Sequence, residues 1–250
     1  VNDAPALRQA EVGIAVSSAT DVAKKSASAA LTTEGLEGIV SLVKMGRTIY
    51  QRIITWILNK IVKTFQVVVF VILAFLLTGE YIVSISSMIL FLFLTDFVTL
   101  SISTDNVRYS RKPDSWNISG LVRIAVLLGV LMVMESFLLL QVGVSYFELQ
   151  GNLAQLHTFV FELLVLTSLF NVMIVRERKH FWESKPSTPL LLSVISNIIV
   201  VFLVSLLALP DMDPVSPVQS LTVLAYSLGT SFLINDPVKV LFLRRSGARL

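Results

Sequence analysis

The sequence predicts a mainly α fold: a polytopic six-helix transmembrane bundle preceded by a short α/β piece. Composition points there first. Of the 250 residues, 54% are hydrophobic and only 15% are charged, and the mean hydropathy is +0.78. That is too apolar for a soluble domain of this length. The apolar residues are also grouped. From residue 54 onward they form six runs, each near the ~20 residues a helix needs to cross a hydrocarbon core, with the charges gathered between them. Before residue 54 the apolar stretches are short and broken by turn residues, as in a soluble domain.

Taken in order, Pro5 suits the first turn of a helix beginning near Ala4, with Asp3 placed to cap it. Residues 12–16 (Val-Gly-Ile-Ala-Val) are a short apolar run suited to a buried parallel strand. Thr20 and Asp21 cap a second short helix through Ala27, and residues 29–32 read as another strand. Residues 1–36 therefore carry part of a sheet without a complete core. Residues 37–53 form a helical stalk, with Ile39, Leu42, Val43, Ile49 and Ile53 on one face and Lys44, Arg47 and Arg52 on the other. No helix breaker separates the stalk from the first span, so it can pass motion rigidly into the membrane. Spans are predicted at 54–77, 82–103, 121–143, 155–175, 190–209 and 218–242. Residues 54–243 then form the membrane domain and 244–250 a tail.

The loops alternate in charge. Thr78-Gly79-Glu80-Tyr81, residues 148–152 and residues 210–214 contain no lysine or arginine. The opposite loops carry Arg108, Arg111 and Lys112, then Arg176, Arg178, Lys179 and Lys185, and the tail adds Lys239, Arg244, Arg245 and Arg249. Positive-inside logic places both termini in the cytoplasm. The net charge of +3 does not signal nucleic acid, because the basic residues lie beside spans rather than in a stripe. With no cysteine, disulfides and thiolate metal sites are excluded. No secretory signal is read ahead of the first span.

The first residues carry a chemical signature. In Asn2-Asp3-Ala4-Pro5-Ala6-Leu7, an amide and a carboxylate stand side by side at a turn. Asn2 can donate to a phosphoryl oxygen, and Asp3 can hold a magnesium ion or its waters. This stretch resembles the hinge motif of P-type ATPases, the ion pumps that phosphorylate themselves on an aspartate. The resemblance continues through Gly13-Ile14-Ala15-Val16, Ala19-Thr20-Asp21-Val22-Ala23, Ala30-Leu31-Thr32 and Arg47-Thr48-Ile49-Tyr50-Gln51-Arg52, and covers essentially the whole chain. It implies that residues 1–36 are the C-terminal piece of a HAD-like phosphorylation domain and that the six spans are the family's fifth to tenth. It also implies Mg2+ and ATP as cofactors of the parent protein, with neither expected to bind this piece tightly. The family's Asp-Lys-Thr-Gly-Thr, which carries the phosphorylated aspartate, does not occur in this sequence. By itself the chain is expected to be inactive as an ATPase.

Within the spans, Asp96 stands out. A carboxylate at that depth costs ~2.5–3.5 kcal/mol or more unless paired, hydrated or protonated, so it marks a pathway or a partner. An acid whose proton affinity follows its surroundings can take up a proton on one side and release it on the other. Thr99 and Ser103 follow on a similar face, and Thr95 is adjacent. In the preceding span, Asn59, Lys63 and Gln66 form a polar stripe from which Lys63 or Gln66 can face Asp96. Lys60 lies one residue off the stripe, and for Lys60 and Lys63 alike the plain reading is snorkelling to the interface. Glu162 is a second candidate carboxylate for a cation pathway, and Glu135, Asn171 and Asn197 are further buried polar positions. Without the family's first four spans, Glu135 or Glu162 is expected to lack partners. His157 is given no role. Asn235-Asp236-Pro237 reads as a helix kink held by local hydrogen bonds.

Leu94-Thr95-Asp96, Ser101-Ile102-Ser103-Thr104-Asp105-Asn106-Val107, Lys112-Pro113-Asp114-Ser115-Trp116 and Val175-Arg176-Glu177-Arg178 with Phe181-Trp182 resemble the proton-pumping, plasma-membrane branch of the family. Calcium prefers six to eight oxygens, often from several carboxylates. Asp96 also lacks the Gly-Leu-Pro-Ala tail of calcium pumps. Plant-type proton pumps carry an arginine where this chain has Gln66, and Lys63 is the substitute counter-cation. The expected function is the C-terminal part of an ATP-driven pump that exports protons across the plasma membrane, with Asp96 as carrier. Alternatives are a pump for Na+, Mg2+ or Ca2+, or a non-catalytic six-helix module. The expected partners are the lipid bilayer, the N-terminal part of the same pump and the transported cation, with no nucleic acid.

Overall fold

The computed structural model describes residues 2–35, 37–110, 113 and 116–246. Arg111, Lys112, Asp114, Ser115 and Arg249, all read in the sequence, lie outside the described residues. The chain divides into two units, residues 1–50 with 109–113 and residues 51–108 with 114–250.

The first unit contains α1 (Ala4–Gln9), β1 (Ile14–Ala15), α2 (Asp21–Ser26), β2 (Ala29–Ala30) and the start of α3 (Glu37–Thr78). The strands pair in parallel, Ile14 with Ala29 and Ala15 with Ala30. They are shorter than the apolar runs that predicted them. Gly13 passes so close to α1 that a Cβ there would sit 2.2 Å from the Leu7 carbonyl oxygen. Thr20 caps α2 by accepting from the Ala23 N–H at 3.5 Å. Asp3 stands at the N-cap of α1, but its backbone is right-handed helical (φ −88°, ψ −6°) and its side chain makes no capping bond. A cap needs extended backbone to turn its oxygen onto the first N–H groups, so the expected cap does not form. On the stalk, Leu42, Val43 and Ile49 remain exposed, and Lys44 lies over the ring of Tyr109.

Helix α3 is continuous over 42 residues, taking in both the stalk and the first span. It is followed by α4 (Ile85–Ser101) with a 3-10 turn (Ile102–Thr104), α5 (Ile118–Ser145), α6 (Leu153–Val175), α7 (Thr188–Ser205), α8 (Pro217–Gly229), a π-helical turn (Thr230–Asn235) and α9 (Asp236–Ser246). Among the described residues, six helices are long and apolar enough to cross a membrane, α8 to α9 counting as one. The chain is a mainly α, multi-pass membrane protein.

Most helix starts lie one to three residues before the hydropathy edges because caps set them. Asn117 accepts from Gly120 N–H, Asn152 from Gln155, Ser187 from Leu190, and Ser216 from Gln219 in a capping box. The second span shows the opposite effect: Ser84 caps α4 and delays its start to Ile85. Helix α7 ends at Ser205, short of the predicted 209. There the chain folds into a Leu209–Met212 bridge, with Asp211 at φ 58°.

Helix α6 is the axis of the bundle. Its apolar window is 94% buried, against 28% for α3 and α7, and it packs against α4, α5, α7 and α8. Phe159, Phe161, Leu163, Val165 and Leu166 fill the core around it. The outer helices instead expose Leu76, Leu77, Phe93 and Leu203, as suits a lipid-facing surface. Close approaches depend on glycine. A Cβ on Gly129 of α5 would meet Phe65 Cδ1 of α3 at 2.5 Å.

Gly129→Ala should therefore destabilise the bundle by about 1–3 kcal/mol, since the base of an aromatic side chain cannot swing aside. Gly46→Ala, whose Cβ meets nothing within 4 Å, should raise stability slightly by removing glycine's freedom in the unfolded chain. Thermal unfolding in one detergent, run on both variants, checks the pair.

Candidate functional site

Asp96 lies in the second half of α4 with its side chain 53% exposed, turned away from the axis of the bundle. Two lysines from α3 reach it. Lys60 Nζ contacts Oδ1 at 2.5 Å, and Lys63 Nζ lies 3.4 Å from the same oxygen. Lys63 also donates to the Thr95 hydroxyl at 2.9 Å and lies 5.5 Å from the centre of the Phe91 ring. The Lys63 side chain is 5% exposed, so it is fixed inside the bundle, whereas Lys60, at 31%, sits at the edge. The apolar residues Ile89, Leu92, Phe93, Phe97 and Leu100 surround the carboxylate in an open groove of about 430 Å³. A carboxylate bracketed by two ammonium groups beside an apolar surface is a built, charge-paired site.

The structure separates the other predicted residues from Asp96. Gln66 does not face it. Its Nε2 donates to Ser136 of α5 at 2.9 Å and to Thr167 of α6 at 3.0 Å. Each three-residue step along a helix falls about 60° short of a full turn, so in two steps from Lys60, which faces Asp96, the helix has rotated Gln66 onto α5 and α6. Asn59 accepts from Asn171 of α6 at 2.9 Å. Thr99 is 4% exposed and its hydroxyl bonds back to the Thr95 carbonyl. Ser103 bonds back to Leu100 in the same way. Such back-bonding satisfies a helix hydroxyl locally and leaves it little reach toward a neighbour.

Glu162 is fully buried on α6 and accepts from the Ser220 hydroxyl of α8 at 2.6 Å. Glu135, 5% exposed, accepts from Asn235 Nδ2 at 3.0 Å. The expectation that these acids lack partners is therefore corrected. Both lie within the chain's own bundle with one oxygen bonded, and Asp96 is the exposed one. Asn197 donates to the Ser193 carbonyl on its own helix. Asn2 and Asp3 are exposed on the first unit.

Sequence reasoning passed over three groups. Lys60, set aside as off the stripe, makes the shortest contact to Asp96. His157 has its ring nitrogens 2.8 Å from the Asp211 carbonyl and 2.7 Å from the Tyr81 carbonyl, joining two loops. Arg176 and Asp105 form a buried ion pair at 2.8 Å with side chains 1% and 0% exposed. Both stand in separate sequence motifs at the same predicted membrane face, and that shared position is the signal for the pair. The expected kink at Asp236 proves more elaborate than local bonding. A π-helical turn precedes it, and the carboxylate of Asp236 binds Lys239, His180 and the Phe181 N–H.

The family comparison falls on this membrane region. The family model described as cation transporting ATPase, C-terminus, matches residues 87–241, more than half of the chain. The chain belongs to this family. It is 32% identical over 98% of its length to a cation-transporting ATPase of Methanocaldococcus jannaschii, covering 30% of that protein. It is 30% identical to plasma membrane ATPase 1 of Saccharomyces cerevisiae and 29% identical to the plasma membrane ATPase of Neurospora crassa, in each case over 75% of the chain. It spans only 20% of each fungal protein.

Two predictions follow from the loop between α6 and α7. Breaking the buried pair with Arg176→Ala should cost about 3–5 kcal/mol by leaving Asp105 charged and unpaired. Asp105→Asn should cost less, because the amide keeps an acceptor. Denaturant or thermal unfolding of the two variants compares them. Glu177 gives a pH dependence. Burial pushes its carboxyl up, but the Ser184 hydroxyl at 2.6 Å, the N–H groups of Lys179 and Arg178, and the charge of Arg176 pull it below the ordinary 4.5. The stabilisation is thus complete above pH 4.5 and is lost as the pH falls through the lower folded value. Ser184→Ala should shrink that acid-side loss, as read from unfolding midpoints across an acid pH series.

Proposed function

We propose that the chain is the ion-translocating membrane part of a P-type pump that uses ATP to export protons, with Asp96 as the proton carrier. The observation that carries this reading is the Asp96 carboxylate of α4 held by Lys60 and Lys63 of α3. While the lysines bracket it, the charged carboxylate is matched. When α3 and α4 shift so that the ammonium groups withdraw, the carboxylate takes a proton to avoid standing charged in an apolar groove. Return of the lysines then expels that proton. Lys63, fixed by Thr95, serves as the standing counter-cation, and the more exposed Lys60 as the movable one. The likeness to fungal plasma membrane ATPases supports the proton assignment and a plasma-membrane location. The concentration of Arg and Lys in alternate loops supports cytoplasmic termini.

In the longer pump, Asn2 and Asp3 would serve the aspartyl-phosphate. The carboxylate of Asp3 is not used to cap α1, which suits it to hold Mg2+. Bound there, the ion would neutralise phosphate charge, while Asn2 donates to a phosphoryl oxygen. A second reading, transport of Na+, Mg2+ or Ca2+, draws support from the archaeal relative, a cation-transporting ATPase.

The test is Asp96→Asn in the full pump reconstituted in proteoliposomes. ATP-driven proton flux should fall about a hundredfold or more. A variant that still acidifies the vesicles at the parent rate removes Asp96 as carrier. Flux that instead requires Na+, Mg2+ or Ca2+ selects the second reading. Lys63→Ala should impair transport more than Lys60→Ala if their roles are as assigned.

A further inference from the structure

A second buried carboxylate site lies across the bundle from Asp96, between α5 and the π-helical turn. Glu135 projects from α5 and is 5% exposed, and Asn235 closes the turn at 2%. Asn235 Nδ2 donates to Glu135 Oε2 at 3.0 Å, and the Tyr226 hydroxyl donates to the Glu135 carbonyl at 2.9 Å. Thr230, which opens the turn, has its hydroxyl beside the same carboxyl. What remains is one-sided. Glu135 Oε1 and Asn235 Oδ1 are both buried with no partner.

One N–H of the Asn235 amide is used on Glu135, and the two oxygens left on this pair, Glu135 Oε1 and Asn235 Oδ1, are acceptors. The buried lysines of the bundle are engaged elsewhere. Lys239 binds the Ile174 and Glu177 carbonyls and Asp236, and Lys63 binds Thr95 and Asp96. Among the described residues, no lysine, arginine or histidine bonds the Glu135 carboxyl. Buried acceptors without donors in a membrane interior need a positive charge or a proton to satisfy them. The backbone is adapted to the site as well. A π-helical turn lodges an extra residue in α8 to α9 and so re-aims the residues that follow, a distortion that recurs at functional sites.

We propose that Glu135 and Asn235, with Thr230, form a monovalent-cation site in the bundle, holding Na+ or a proton. The site is separate from Asp96 and stands whether or not Asp96 carries protons.

The test uses the purified full chain in lipid nanodiscs, titrated with NaCl against choline chloride at fixed ionic strength. It is followed by thermal midpoint and by sodium NMR line broadening. If the ion is Na+, both signals saturate with Na+, Glu135→Gln abolishes them, and Asp96→Asn leaves them in place. Asn235→Ala, which removes one acceptor, weakens binding about tenfold. If the cation is a proton, the Na+ titration is flat. The infrared spectrum then contains a carboxylic-acid carbonyl band that vanishes in Glu135→Gln and persists in Glu162→Gln. A flat titration with no such band means a carboxylate with no bound cation, and overturns the proposal. Should Glu135→Gln fail to fold, the Na+ titration of the parent chain and of Asn235→Ala decides the Na+ case. The proton case then rests on the presence of the infrared band in the parent and its persistence in Glu162→Gln and Asp96→Asn.

Discussion

The ion pair of Asp105 with Arg176 ties together the helices on which the rest of the membrane unit depends. Arg176 closes α6 and holds both oxygens of Asp105, at 2.8 and 3.2 Å. The Ser187 N–H, at the cap of α7, donates to the same carboxylate at 3.0 Å. Arg52 of α3 donates twice to the Asp105 carbonyl. One residue therefore joins α3, the end of α4, α6 and the start of α7. Burying two charges this deeply is costly, and it is sustained because nearly every donor of Arg176 has an acceptor, including the carbonyls of Ser184, Lys185 and Asn106.

The register that this knot fixes extends to the candidate transport site. Asp96 lies nine residues before Asp105, about 13 Å along a helix. With α3 held to Asp105 through Arg52, Lys60 and Lys63 come level with Asp96 two turns further on. A slip of one residue would rotate α3 by about 100° and carry both ammonium groups off the carboxylate. The site is precise because its anchor is buried, while the carboxylate itself stays at the edge where it can change partners.

Helix α6 imposes the second constraint. It is enclosed on every side, so several of the polar groups it carries are answered from other helices. Asn171 is answered by Asn59, Thr167 by Gln66 and Glu162 by Ser220. These pairs set which face each neighbour turns inward, which is why Gln66 is spent on the core rather than on Asp96. The polar stripe of α3 thus serves two purposes, interhelical bonding at Asn59 and Gln66 and charge pairing at Lys63 between them.

The sequence by itself determined the class of the protein. Six apolar runs of membrane length, alternating loop charge and the motifs from Asn2 to Trp182 were enough, because hydrocarbon thickness and backbone hydrogen bonding leave few ways to cross a bilayer. It also singled out Asp96, since a lone acid in such a run is expensive wherever it points. The tertiary structure decided the partners. Whether Lys60, Lys63 or Gln66 meets Asp96 depends on how α3 and α4 are rotated about their axes. The pairing of Asp105 with Arg176 spans 71 positions, and that of Glu135 with Asn235 spans 100. Periodicity fixes a face only relative to its own helix. Which neighbour that face meets is set by packing around α6 and by a π-helical turn that no local pattern announced.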